Sequence, residues 1–191
     1  MKRIELVISG GILILLTQPL WGGDASVMLE RIGKLVVGQP LPAKMLTYDL
    51  DLNFFDFAEY AAQKDATHFL ISFFAVWCEP CVKEIHQLKA DQARLRRHGV
   101  EVILVSVPIQ KDGRPERKAQ VVTRKFLKEH RISFYTLLDK NSNLARGMFG
   151  VLQNSLPKSF LIRKDGRVEA IFDQAGNDFI DQIVAHAEGG R

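Results

Sequence analysis

Five residues, Trp77-Cys78-Glu79-Pro80-Cys81, constrain this chain more than any others. They hold both of its cysteines, and they stand where an apolar run, Phe69 to Val76, gives way to a pattern of helical period. A nearly continuous apolar stretch rich in β-branched and aromatic residues is what a strand covered on both faces requires. A strand that ends in Cys-x-x-Cys and opens directly into a helix puts the first sulfur at the positive end of the helix dipole, which favours a thiolate. Pro80 falls in the first helical turn, where its missing N–H is no loss. The same spacing could serve half a zinc site or a structural disulfide. Zinc, however, needs further ligands at ligand spacing, and no second cysteine pair exists. The strand-to-helix context points to redox chemistry.

Around this motif the chain alternates strands and helices. Val82, Ile85, Leu88 and Leu95 recur at helical spacing among Lys83, Lys89, Arg94, Arg96 and Arg97, and predict one long amphipathic helix stopped by Gly99. Val100 to Val107 is a second buried strand, so a parallel strand-helix-strand crossover is expected. The polar, basic stretch Lys111 to Lys118 reads as a solvated loop leading into a helix with Val121, Val122, Phe126 and Leu127. Phe134 to Leu138 is a short strand, and Leu144, Ala145, Met148 and Phe149 mark a helix that Gly150 can end. Asp165-Gly166 between the apolar runs Ser159–Arg163 and Arg167–Phe172 signals a hairpin. A closing helix follows with Phe179, Ile180, Ile183 and Val184 on its apolar face. Upstream of the motif, Pro40 and Pro42 force an extended entry, Met45 to Leu52 suits a short strand or hairpin, and Asn53 to Ala62 a turn and short helix.

The N-terminus departs from globular composition. Lys2 and Arg3 precede an apolar segment, Leu6 to Leu16, and Gly23-x-Ala25 offers small residues for cleavage. This is the pattern of an export signal. The segment is short for a membrane span, which needs about 20 apolar residues. Residues 1–25 are therefore expected to be a signal peptide or an N-terminal anchor and 26–191 the working domain, placed in the periplasm or otherwise outside the cytoplasm, where disulfide chemistry is permitted. The net charge of +4 is spread along the chain and gives no reason to expect a nucleic-acid partner.

Phe74-Ala-Val-Trp-Cys-Glu-Pro-Cys81, Glu84, the strand Val102 to Val107, and Leu156-Pro157 ahead of Ser159-Phe-Leu-Ile162 with Asp165-Gly166 resemble the thioredoxin superfamily. More narrowly, they resemble the exported TlpA/ResA-type thiol-disulfide oxidoreductases, over about Val37 to Ala187. The resemblance implies an α/β thioredoxin-like fold, with a central mixed sheet of four or five strands flanked by helices. It implies that Pro157 is a cis-proline lying against a Cys78–Cys81 disulfide, a bond kept where a special backbone shape is useful. That shape would expose the backbone of Leu156 to an extended substrate segment. Cytoplasmic thioredoxins carry a buried Asp six residues before the first cysteine, and here that position is Ser72. Glu84, matching a glutamate of the ResA-like members, is the candidate replacement as proton acceptor, through partial burial on the motif helix. His86 stands where the family often has proline, and Val151 to Ser155 lacks the Pro-Glu-Thr string of typical cytochrome c maturation reductases.

The expected chemistry is dithiol-disulfide exchange. Cys78, expected to be the exposed sulfur, attacks a substrate disulfide and Cys81 resolves the mixed disulfide. Trp77, Glu79 and Pro80 contact substrate around the sulfur, and the negative charge of Glu79 opposes the thiolate, favouring a reductase over a strong oxidant. The implied partners are protein thiols and disulfides of the envelope, cytochrome c maturation among them, and a membrane electron donor. The chain would act as a monomer, with no cofactor beyond the redox-active disulfide and no metal. The alternatives are an oxidase or isomerase of the same fold, or a copper-handling protein using the cysteines with one of five histidines. A peroxidase is disfavoured because Thr-x-x-Cys is absent at Cys78.

Overall fold

The computed structural model of the chain describes residues 35–41, 47–110, 116–150, 156–173 and 175–189. The candidate signal at 1–25, Pro42, Met45, most of the basic stretch (111–115) and the segment 151–155 lie outside the described residues. Among the described residues six strands make one mixed sheet: β1 (Tyr48–Asp49), β2 (His68–Phe74), β3 (Val100–Ser106), β4 (Tyr135–Leu138), β5 (Lys158–Arg163) and β6 (Val168–Phe172). Their spatial order is β1-β4-β3-β2-β5-β6. The pairs β2–β3 and β3–β4 are parallel, whereas β1–β4, β2–β5 and β5–β6 are antiparallel. The helices are α1 (Phe57–Ala62), α2 (Glu79–Ala90), α3 (Gln92–Arg97), α4 (Ala119–Glu129), α5 (Asn143–Phe149) and α6 (Phe179–Gly189).

The sheet divides the core into two apolar layers. Every residue of β2 is buried, and its side chains alternate between them. Leu70 and Phe74 pack with Ile85, Leu88, Leu95 and Phe126. Phe69, Ile71 and Phe73 pack on the other side with Phe149 and Phe160. The continuous apolar run of the sequence is thus the signature of a strand with no solvent face. Ser72 belongs by parity to the layer of Leu70 and Phe74, where α2 packs, and it is the one hydroxyl in that run.

Two expectations need correction. The motif helix is not one long helix: it breaks at Asp91, whose φ of −100° and ψ of 13° leave the helical region, and resumes as α3. Asp is a poor residue for a helix interior, and no strongly apolar residue stands between Leu88 and Leu95 to hold the earlier axis. The break brings Leu95 fully into the core. The sheet has six strands where the resemblance implied four or five, because Tyr48–Asp49 adds an edge strand opposite Leu138 and Leu137. It is held by a turn in which the Asp49 carboxylate accepts the N–H groups of Asp51 (2.8 Å) and Asn53 (2.9 Å).

Gly99 does end α3, with φ of 74°, and a Cβ there would lie 2.7 Å from Thr67 Oγ1. The Asp165-Gly166 hairpin joins β5 to β6 as expected.

Candidate functional site

The site is assembled at the end of β2 where the chain turns into α2. Cys78 is the N-cap of α2, and its Sγ accepts the backbone N–H of Cys81 at 3.3 Å. Glu79 and Pro80 open the helix, so the proline sits where its lack of N–H leaves no bond unmade. Cys78 and Cys81 are joined in a disulfide, with Cα atoms 5.2 Å apart. The structure is therefore that of the oxidised form.

Cys78 was expected to be exposed. It is 5% exposed and Cys81 1%, because the strand end delivers both sulfurs into the apolar layer formed with Phe74, Ala75 and Ile85. The difference still leaves Cys78 the more accessible sulfur.

Glu84 lies three residues beyond Cys81 on α2, a spacing that places two side chains on one helix face. It is only 1% exposed, so its burial is complete where partial burial was expected. Its Oε1 accepts the hydroxyl of Ser72 at 2.8 Å and that of Ser159 at 2.6 Å. Removal from water pushes the carboxyl up from its ordinary range, against the downward pull of the Ser159 and Ser72 hydrogen bonds. Ser72 and Ser159 stand opposite each other in the antiparallel β2–β5 pair and are themselves buried. Sequence reasoning singled out Ser72 only for what it lacks and passed over Ser159. The signal available was a serine inside the apolar run of β2 and another directly ahead of that of β5.

The Leu156–Pro157 peptide bond is cis, and Pro157 is buried. Lys158 is opposite Phe73 in the sheet register, so the proline lies at the motif end of β2. Leu156 packs against the apolar layer that contains both cysteines. Trp77 is 41% exposed, and its indole N–H donates to the carbonyl of Ile109 at 2.6 Å. It walls a cavity of about 360 Å³ shared with Val76, Val107, Ile109, Val122 and Thr123, which sequence reasoning did not foresee. The Glu79 side chain is 81% exposed and pairs with Lys83 at 3.2 Å. Its charge is thereby screened by solvent and partly balanced. The unassigned His86 contacts His130 of the α4 terminus, Nε2 to Nδ1, at 3.0 Å. Among the described residues no three His, Cys, Asp or Glu side chains are grouped to hold a metal ion, and no helix is long and apolar enough to cross a membrane.

A profile of the AhpC/TSA family matches residues 37–171, which include the motif, Glu84, the cis-proline and both serines. The chain belongs to the AhpC/TSA family. Among its relatives, the thiol-disulfide oxidoreductase ResA of Bacillus thuringiensis subsp. konkukian is 29% identical over 98 residues, 51% of this chain and 50% of that protein. The chain spans about half the length of the curated relatives it matches. The fold is thioredoxin-like. It superposes on the thioredoxin domain of a thiol-disulfide oxidoreductase from Bacteroides vulgatus with a TM-score of 0.60 at 18% identity, covering 81% of this chain and 99% of that one. A putative thiol:disulfide interchange protein DsbE from Chlorobium tepidum gives a TM-score of 0.62 at 20% identity, with 81% and 99% covered.

Proposed function

We propose that this AhpC/TSA-family chain is an extracytoplasmic thiol-disulfide oxidoreductase that reduces disulfides of protein substrates. The observation that carries the reading is the Cys78–Cys81 disulfide at the start of α2, with Cys78 capping the helix. The unpaired N–H groups and dipole of a helix N-terminus stabilise negative charge there, so in the dithiol form Cys78 is the sulfur held as thiolate.

The Cys78 thiolate attacks a substrate disulfide, forming one S–S bond with Cys78 and releasing the first substrate thiolate. Cys81 gives its proton to Glu84 and attacks Cys78. The Cys78–Cys81 bond forms, the bond to substrate breaks, and the second substrate sulfur leaves. Two electrons pass to the substrate, and the oxidised protein waits for a membrane electron donor. Trp77, Pro80 and the backbone of Leu156 beside cis-Pro157 receive the extended substrate segment. The basic, apolar N-terminal segment at 1–25 supports a site of action outside the cytoplasm. Glu79 places a carboxylate beside the attacking sulfur and favours a reductant, in a strength limited by its exposure and its Lys83 partner. Equilibration with glutathione buffers is expected to give a potential nearer the roughly −270 mV of thioredoxin than the roughly −120 mV of strong periplasmic oxidants. A value at the oxidising end would reverse the direction.

The test of the exchange reaction is trapping. Cys81→Ser leaves Cys78 unable to be resolved, and protein substrates are expected to accumulate as mixed disulfides on it, released by reductant and absent from the Cys78→Ser/Cys81→Ser double variant. Recovery of no such species from cells grown with the full chain would refute the proposal.

A further inference from the structure

We propose that Ser72 and Ser159 are positioning residues that hold Glu84 by one oxygen, Oε1, and so reserve the other, Oε2, for the proton exchanged with Cys81. The inference rests on the exchange reaction proposed above and adds the residues that direct its proton.

Three elements meet at this carboxylate. Ser72 comes from the middle of β2, Ser159 from β5 directly opposite, and Glu84 from α2 packed above them. Ser72 interrupts the apolar run of β2 and Ser159 stands directly ahead of that of β5; both are buried, and a buried hydroxyl without a partner is costly. Both hydroxyls donate to the same atom, Oε1, at 2.8 and 2.6 Å. A hydroxyl donor favours the oxygen with the greater electron density. In the carboxylate, two donors draw the negative charge to Oε1. In the acid, they select Oε1 as the carbonyl oxygen, so the proton binds at Oε2.

The step balances. The Cys81 thiol loses its proton to Oε2, giving a thiolate and a neutral carboxylic acid. The thiolate then forms the bond to Cys78 as the Cys78–substrate bond breaks, and the departing substrate thiolate takes a proton from water. The hydroxyls also counter the burial that pushes the Glu84 carboxyl up. The charged groups nearby are turned to other partners: Lys83 of α2 pairs with Glu79, His86 of α2 contacts His130, and Lys158 of β5 pairs with Asp173.

The experiment is a pH titration of the Glu84 carboxyl by ¹³C NMR on the full chain in its dithiol form, beside the pH profile of single-turnover reduction of a peptide disulfide. The variants are Ser72→Ala, Ser159→Ala and Ser159→Thr. Loss of either hydroxyl is expected to raise the proton affinity of Glu84 about tenfold, the size of one hydrogen bond to a charged group. The acid limb of the rate profile should move to higher pH with it. Ser159→Thr keeps the hydroxyl and should restore both. An unmoved carboxyl midpoint in both alanine variants, or a moved midpoint with an unmoved rate profile, would overturn the inference while leaving exchange by the parent protein intact. Absence of exchange in the parent itself would instead remove the proposed function.

Discussion

Among the described residues two carboxylates are buried, Asp139 and Glu84, and they are held in opposite ways. Asp139 follows β4, and its Oδ1 and Oδ2 accept the backbone N–H groups of Leu144 (3.1 Å) and Ala145 (2.8 Å) at the start of α5. Glu84, three residues from a cysteine, accepts the side-chain hydroxyls of Ser72 and Ser159, both on one oxygen. Burial pushes both carboxyls up, and hydrogen bonds pull each back. The donors of Asp139 are backbone groups of a helix start, which would otherwise lack partners, so its charge serves the fold. The donors of Glu84 could be replaced by apolar side chains without leaving any backbone group unpaired. The fold does not require a carboxylate there, which directs attention to the neighbouring sulfur.

The largest expected effect separates the two sites by chemistry. Glu84→Gln keeps an amide oxygen for both serines but cannot take a proton. It is expected to slow single-turnover disulfide reduction about a hundredfold, within the usual range for loss of a general base, while the chain stays folded. A variant as fast as the parent would remove Glu84 from the reaction.

The next effect separates them by stability. Asp139→Ala strips α5 of its acceptor and is expected to lower unfolding free energy by about 1–2 kcal/mol, as for other lost helix-start carboxylates. Its rate per folded molecule should match the parent in the same turnover assay. Denaturant unfolding with no loss of stability would show that the Asp139 bonds only offset the burial of its charge.

The smallest effect is a pH slope. Both carboxyls bind protons more tightly in the folded than in the unfolded chain. Between the unfolded and folded pKa values the folded state therefore holds more protons, and stability falls as pH rises. The contribution is fully present below the ordinary carboxyl values of 4.5 and 3.8 and is lost as pH climbs through the raised ones. Unfolding of the oxidised protein should show this decline. Glu84→Gln should flatten part of it, and an identical slope in that variant would contradict a raised Glu84.

Much of this arrangement is visible in the chain because it is local. The seven buried residues of β2, the Cys-Glu-Pro-Cys start of α2 and the Asp165-Gly166 hairpin each announce themselves within a few residues. What escapes such a reading is what depends on distance along the chain. Ser159 reaches Glu84 across 75 residues, and Tyr48 finds Leu138 across the sheet. The break at Asp91 was hidden for another reason. The apolar period resumes at Leu95 after it, and periodicity alone does not register a change in helix axis. The coverage of Cys78 likewise follows from the apolar layer it shares with Phe74 and Ala75 and against which Leu156 packs, which no spacing rule contains.

The central claim is that the cysteines at the head of α2 exchange electrons with protein disulfides. Its most direct test is a stoichiometric reaction of the fully reduced chain with insulin, quenched by acid and alkylated to count thiols on each protein. The account predicts that one insulin disulfide opens for each Cys78–Cys81 disulfide formed, and that Cys78→Ser does neither. Insulin left intact beside a chain that keeps both thiols would contradict it.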